Sequence, residues 1–100
     1  MTIEEFTNKI NEKKVTVVDF YATWCGPCKV LSPVVDTIAD TDPDITVFKL
    51  DIEENNVLCD EFGIRSVPTL LFFKDGELED MTVGNVPKNE ILEKINTLKA

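Results

Sequence analysis

VTVVDFYATWCGPCK, residues 15–29, is the stretch from which the rest of the chain can be read. Its first half, residues 15–22, is β-branched and aromatic with apolar side chains on both faces, the pattern of an interior strand in a covered sheet. Its second half opens a helix. Beyond Cys28, Leu31, Val34, Val35, Ile38 and Ala39 form one stripe. Pro33 falls inside that helix and is expected to kink it, because it lacks a backbone donor and crowds the preceding turn. Asp42-Pro43 ends it. Cys25 and Cys28 therefore stand at a strand-to-helix turn. A helix N-terminus offers unpaired amide donors and about half a positive charge, which stabilise a thiolate. Cys25 sits where those donors point, so its pKa is expected below the free value of about 8.5. Cys28 lies within the first turn and is expected to be the more covered thiol. Two intervening residues allow a disulfide across the turn, and attack, mixed disulfide and resolution then form one cycle.

Other uses of the pair fit less well. Half a zinc site would need a second half, but only Cys59 remains and the chain has no His. An iron–sulfur centre normally needs more thiolates. A purely structural disulfide closing so small a loop restrains the unfolded chain little. The strand–turn–helix context favours redox use, and no metal or other cofactor is expected.

Working outward, Ile3, Phe6 and Ile10 recur at helical spacing within Thr2 to Asn11, and Thr2 with Glu5 reads as a capping box. Residues 45–50 form a second strand. Asn55 is expected to cap a short helix that runs through Phe62 and stops at Gly63. Val67 opens a strand through Phe73, Asp75-Gly76 signals a two-residue hairpin, and Glu77 to Val83 returns antiparallel. The last helix starts near Pro87, a good first-turn residue, and is expected to bury Ile91, Leu92, Ile95 and Leu98. The order is α-β-α-β-α-β-β-α. Strands joined through helices read as parallel and the hairpin adds an antiparallel edge, giving an α/β mixed sheet with helices on both faces.

One hundred residues with 43% apolar and 29% charged side chains describe one globular domain, residues 1–100, without repeats or linkers. Ten Lys and Arg against 19 Asp and Glu give a net charge of −9, which argues against nucleic-acid binding through a basic face. The absence of His removes imidazole acid–base chemistry and Ser-His or Cys-His pairs. The start, MTIEEFTNKI, carries no apolar signal core, and no apolar run is long enough to span a bilayer. The expectation is a small soluble acidic protein of the cytoplasm, without membrane or nucleic-acid partners.

WCGPCK at Trp24–Lys29, VDFYATWC at 18–25 and FGIRSVPTLLFF at 62–73 together resemble the thioredoxin family. Lys49-Leu50-Asp51, Asp75-Gly76 and Val83-Gly84 fall in the order that the family shows, so the resemblance covers nearly the whole chain. It implies a three-layer αβα fold around a mixed sheet of four to five strands. Members commonly carry an extra strand before the first helix. Here it is expected to be short or absent, leaving the strand at 45–50 more exposed at an edge. Tyr21 stands where many members carry Trp.

The resemblance implies a monomeric protein disulfide reductase with Cys25 as nucleophile and Cys28 as resolving thiol. Electrons would come from a thioredoxin reductase or an equivalent donor, and the substrates would be disulfide-containing proteins. Gly26-Pro27 inside the motif resembles the reducing branch of the family. An oxidase or isomerase of the same fold, or a binding subunit with incidental thiols, stands as the alternative.

Asp19 lies in a strand apolar on both sides, so its carboxyl reads as buried, and burial raises a carboxyl pKa. The resemblance implies that it accepts the proton of Cys28. Lys49 is either a solvent-facing lysine or, as the resemblance implies, a neighbour that tunes Asp19. Pro68 reads as a strand-start proline. The resemblance instead implies a cis Val67–Pro68 bond beside the thiols, with Trp24, Gly26, Pro27, Val67, Pro68 and Gly84 forming the substrate-contact surface. Cys59 reads as a small apolar residue on the face shared with Leu58 and Phe62.

Overall fold

Eight elements follow one another in the computed structural model, which describes residues 1–100: α1 (Ile3–Ile10), β1 (Val15–Tyr21), α2 (Gly26–Thr41), β2 (Ile45–Asp51), α3 (Asn56–Phe62), β3 (Thr69–Lys74), β4 (Glu77–Val83) and α4 (Lys88–Lys99). The strands form one sheet of four in the order β2-β1-β3-β4. No strand precedes α1, so β2 is an edge strand, and its Val47, Phe48 and Lys49 are only half-buried.

β1 pairs with β2 in parallel and with β3 antiparallel. The expectation that helix-linked strands all run parallel therefore fails at β3. α3 is short, 7 residues or about 10 Å at 1.5 Å per residue, and it stays near the end of β2, its Cys59 thiol directed at the Ile52 carbonyl. The chain therefore does not travel back along the sheet before β3. β3 instead enters the sheet at the end where β2 leaves it. Thr69 pairs with Phe20, next to the Tyr21–Asp51 pair that closes β1 and β2.

Period-two alternation along the strands divides the core. Val15, Val17, Leu70 and Phe72 pack under α2 and α4 with Leu31, Val35, Ile38, Ile91 and Ile95. Val18, Phe20, Leu50, Leu71 and Phe73 pack on the opposite face with Phe6 and Ile10 of α1 and Leu58 of α3. Asp19 and Lys49 share the parity of Val17 and Val47, so both side chains point toward α2.

Local signals act largely as written. The Thr2–Glu5 capping box forms in both directions, α2 runs on through Pro33, and Gly63 ends α3 in the left-handed conformation at φ 64°. Asn55 occupies the N-cap position of α3 without capping it. Its carboxamide instead donates to the Asp51 carbonyl and accepts from the Met1 amine, both at 2.9 Å. The strand expected from Val67 begins at Thr69, because Pro68 has no N–H to give the ladder. Pro87 is the N-cap of α4 rather than its first-turn residue. Ile3 and Leu92, expected in the core, are 49% and 37% exposed. Ile3 opens α1 and Leu92 flanks the Ile91–Ile95–Leu98 stripe, so neither faces the sheet.

The hairpin carries a requirement of its own. Asp75 and Gly76 both have positive φ, 52° and 81°, as a two-residue turn matched to strand twist demands. A methyl group at Gly76 would also meet the Asn11 carboxamide carbon at 2.9 Å. Gly76→Ala is expected to lower stability by about 1–2 kcal/mol from the backbone conformation alone, read as a drop in denaturant midpoint at unchanged slope. A variant as stable as the parent would show that the turn does not need this conformation.

Candidate active site

The strand ends build one corner of the molecule. β1 runs out at Tyr21 beside Asp51 of β2, while Thr69 of β3 faces Val83 of β4. The segments leaving or entering these ends crowd together, and the cysteine pair lies among them. Cys25 is the N-cap of α2, and the Cys28 amide donates to its Sγ at 3.2 Å. Pro27 falls in the first turn, where a missing N–H breaks no helical bond. Cys25 and Cys28 are joined as a disulfide, with Cα atoms 5.3 Å apart.

The expected difference in covering between the two thiols is not seen in this oxidised state: Cys25 is 5% and Cys28 4% exposed. Their surroundings differ instead. Cys25 Sγ lies 3.7 Å from the Val67 carbonyl oxygen, whereas Cys28 lines a cavity of about 350 Å³ that also reaches Asp19, Ser32 and Lys49. The Val67–Pro68 peptide is cis. Gly84, at φ 89°, donates its N–H to the Pro68 carbonyl at 2.8 Å, which fixes the end of β4 beside that bond. Trp24 is 67% exposed and is tethered through Nε1 to Glu53 at 2.9 Å. Gly26 and Pro27 are exposed next to Cys25. Val67 is half-buried against the cysteines, and Pro68 is buried.

Asp19 is 1% exposed and its Oδ1 has no hydrogen-bond partner. Burial pushes its carboxyl up to about 6, opposed by the positive charge of Lys49 and reinforced by the negative charge of Asp36. Lys49 stands opposite Asp19 in the β1–β2 register, but its ammonium pairs elsewhere. It meets Asp36 Oδ1 at 2.6 Å and donates to the Ser32 hydroxyl. The Lys49 side chain is 28% exposed. Reading the sequence missed Ser32 and Asp36. The available signal was their spacing: Cys28, Ser32 and Asp36 recur every four residues and so share one helix face. Cys59 lies apart, half-buried against the α1–α3 core, with its thiol pushed up by burial and by Asp60.

A family model described as Thioredoxin matches residues 1–97. The thioredoxin of Mycoplasmoides gallisepticum is 44% identical over 89 residues, 89% of each chain. That of Rickettsia prowazekii is 44% identical over 98 residues, 96% of this chain and 93% of its own. In three dimensions the chain is similar to a variant thioredoxin from Halobacterium salinarum, with a TM-score of 0.94 at 37% identity, over 100% of this chain and 88% of that one. Oxidised mitochondrial thioredoxin 3 from Saccharomyces cerevisiae gives 0.87 at 33% identity, over 95% and 89%.

The raised Asp19 value links stability to pH. Ionising this carboxyl opposes folding once pH passes the ordinary aspartate value of about 3.9, and the penalty is complete above the folded value of about 6. Two units correspond to about 3 kcal/mol. The oxidised protein is therefore expected to lose stability of that order between roughly pH 4 and pH 7. Asp19→Asn should flatten this slope and be the more stable protein at pH 7. Urea unfolding at a series of pH values checks it, and a variant less stable than the parent at pH 7 would mean that Asp19 is not held as a penalised anion.

Proposed function

The chain belongs to the thioredoxin family and is a thiol–disulfide oxidoreductase that reduces protein disulfides through Cys25 and Cys28; from that premise we propose how its residues divide the work. Cys25 is the attacking thiolate. Its place at the N-cap of α2, with the Cys28 amide directed at its sulfur, favours the charged form. The thiolate attacks one sulfur of a substrate disulfide. That S–S bond breaks, one substrate thiolate leaves, and Cys25 is held in a mixed disulfide. Cys28 then gives its proton to the Asp19 carboxylate and attacks Cys25 Sγ. The second substrate thiolate leaves and the Cys25–Cys28 disulfide forms. Two electrons have passed to the substrate, and a separate reductase of the thioredoxin reductase type returns them.

The observation that carries this division is the cavity shared by Cys28 and Asp19. It gives the second thiol, and not the first, a route to a carboxyl whose proton affinity is set near neutrality, where proton transfer is most effective. Substrate recognition uses the surface of Trp24, Gly26, Pro27, Val67, Pro68 and Gly84. The Val67 carbonyl, 3.7 Å from Cys25 Sγ, is placed to accept from the backbone of an extended substrate segment. Lys49 lowers the proton affinity that burial gives Asp19. No helix is long and apolar enough to cross a membrane. We place the protein in the cytoplasm, where thiols are kept reduced, acting as a monomer.

Cys28→Ser separates catalyst from binding module. Attack by Cys25 does not need Cys28, so this variant should accumulate mixed disulfides with substrate proteins, visible on non-reducing gels and abolished by dithiothreitol. It should reduce insulin at least about a hundredfold more slowly than the parent, since the second step is lost. Cys25→Ser should trap far less, and adding Cys59→Ser should change nothing. A Cys28→Ser variant that folds but traps no partner would overturn the assignment of Cys25. A parent that oxidises dithiols faster than it reduces insulin would assign it to the oxidising branch.

A further inference from the structure

Lys49 and Asp19 face each other across two parallel strands and point the same way, toward α2. Left to themselves, a lysine and a buried carboxyl so placed would form an ion pair. Such pairing holds a carboxylate well below its ordinary pKa and makes it a poor acceptor for a thiol proton. That pair is absent here. Lys49 Nζ is taken by Asp36 Oδ1 at 2.6 Å and by the Ser32 hydroxyl, while Asp19 Oδ1 keeps no partner. Both gripping residues lie on α2, one and two turns beyond Cys28, on the face that carries Cys28 itself.

We propose that Ser32 and Asp36 are positioning residues for the resolving step: they hold the Lys49 ammonium beside Asp19 but out of contact with it, so that the carboxyl feels a cation without being neutralised by it. This rests on the reading of Asp19 as the acceptor for Cys28. Asp36 acts in two ways that add. It draws the ammonium toward α2, and its own negative charge opposes ionisation of Asp19. Ser32 acts only through the grip.

Among the charges near Asp19, Lys49 and Asp36 are the two that act on its carboxyl. From β1, Tyr21 lines the cavity. From α2, Cys28 and the Lys29 ammonium do so as well. β3 sets apolar Leu70 opposite Asp19, and α4 packs on this face through Ile91, Ile95 and Leu98, with its Lys99 paired to Asp42 at the far end of α2. Asp36 is 61% exposed, so replacing it leaves the core untouched and the fold intact.

The test uses the full chain and two readouts. Carbon NMR of the Asp19 carboxyl in the oxidised protein gives its titration midpoint. Stopped-flow mixing of the reduced protein with an aromatic disulfide that releases a coloured thiolate gives two phases, attack by Cys25 and resolution by Cys28, and the second is followed against pH. Asp36→Asn should lower both the midpoint and the inflection of the second phase by about one unit or more, the order expected for a lysine released onto a carboxyl. Ser32→Ala should move both the same way by less, and Asp36→Glu should restore them. Lys49→Met should raise the midpoint, and in that background Asp36→Asn should produce less than half its usual shift. A midpoint unmoved by both Asp36→Asn and Ser32→Ala, or a full shift persisting in Lys49→Met, overturns the grip. An inflection that survives Asp19→Asn overturns the acceptor reading, and with it any part for the grip in turnover.

Discussion

The Asp19 carboxyl lies between the sheet and α2 with one oxygen unsatisfied and almost no contact with solvent. A buried anion without a partner is among the least favourable arrangements a small domain can hold. An apolar residue there would pack under α2 as Val17 does. The neighbouring parts of the fold can be understood by what they do for this group. The cavity beside it gives the carboxyl an outlet toward Cys28. The parallel β1–β2 pairing sets a cation opposite it. α2 brings a thiol at one end and, further along the same face, the two residues that restrain that cation.

The corner that holds the thiols follows from the same topology. Because β3 enters where β2 leaves, the C-terminal ends of β1, β2 and β4 and the N-terminal end of β3 meet at one place. The loops there need not be long. Gly84 at φ 89° turns the chain sharply out of β4 while its amide bonds Pro68, and Trp24 is steadied by Glu53 from the β2–α3 segment. The helix N-terminus with the Trp24 ring just before it, and the cis peptide more than 40 residues later, are thus delivered to one spot by strand direction.

What could be read from the sequence divides along the range of the interactions. The capping box at Thr2–Glu5, the left-handed stop at Gly63 and the Asp75-Gly76 turn are decided within a few residues, and each is legible. Cys25 at the helix start is legible for the same reason. The direction of β3 depends on where α3 docks against the sheet, near the end of β2, which no local pattern states. Asn55 has the residue type of a helix cap, yet its carboxamide is claimed by Asp51 and by the chain's first residue, a contact 54 positions away. The burial of Asp19 is legible from the strand around it. The fate of Lys49 is not, because it is settled by Ser32 and Asp36 across the gap between sheet and helix. The family resemblance joined Lys49 to Asp19 but offered no hint that the ammonium would be held by a third party.

That third party is where the arrangement differs from a simple buried pair. Had Lys49 closed directly on Asp19, the two charges would have satisfied each other and the carboxyl would have lost most of its affinity for a proton. Had Lys49 been absent, burial alone would have driven the carboxyl higher still, protonating it at the pH where the proposed cycle needs an acceptor. An intermediate value requires a cation near at hand but engaged elsewhere. α2 is the element suited to engage it, because the same helix carries Cys28. Any displacement of α2 relative to the sheet would shift Cys28 and the lysine's anchor together. On the proposed reading, the thiol that gives up a proton and the charge that tunes its acceptor are therefore held in register by one stretch of backbone, from Cys28 to Asp36.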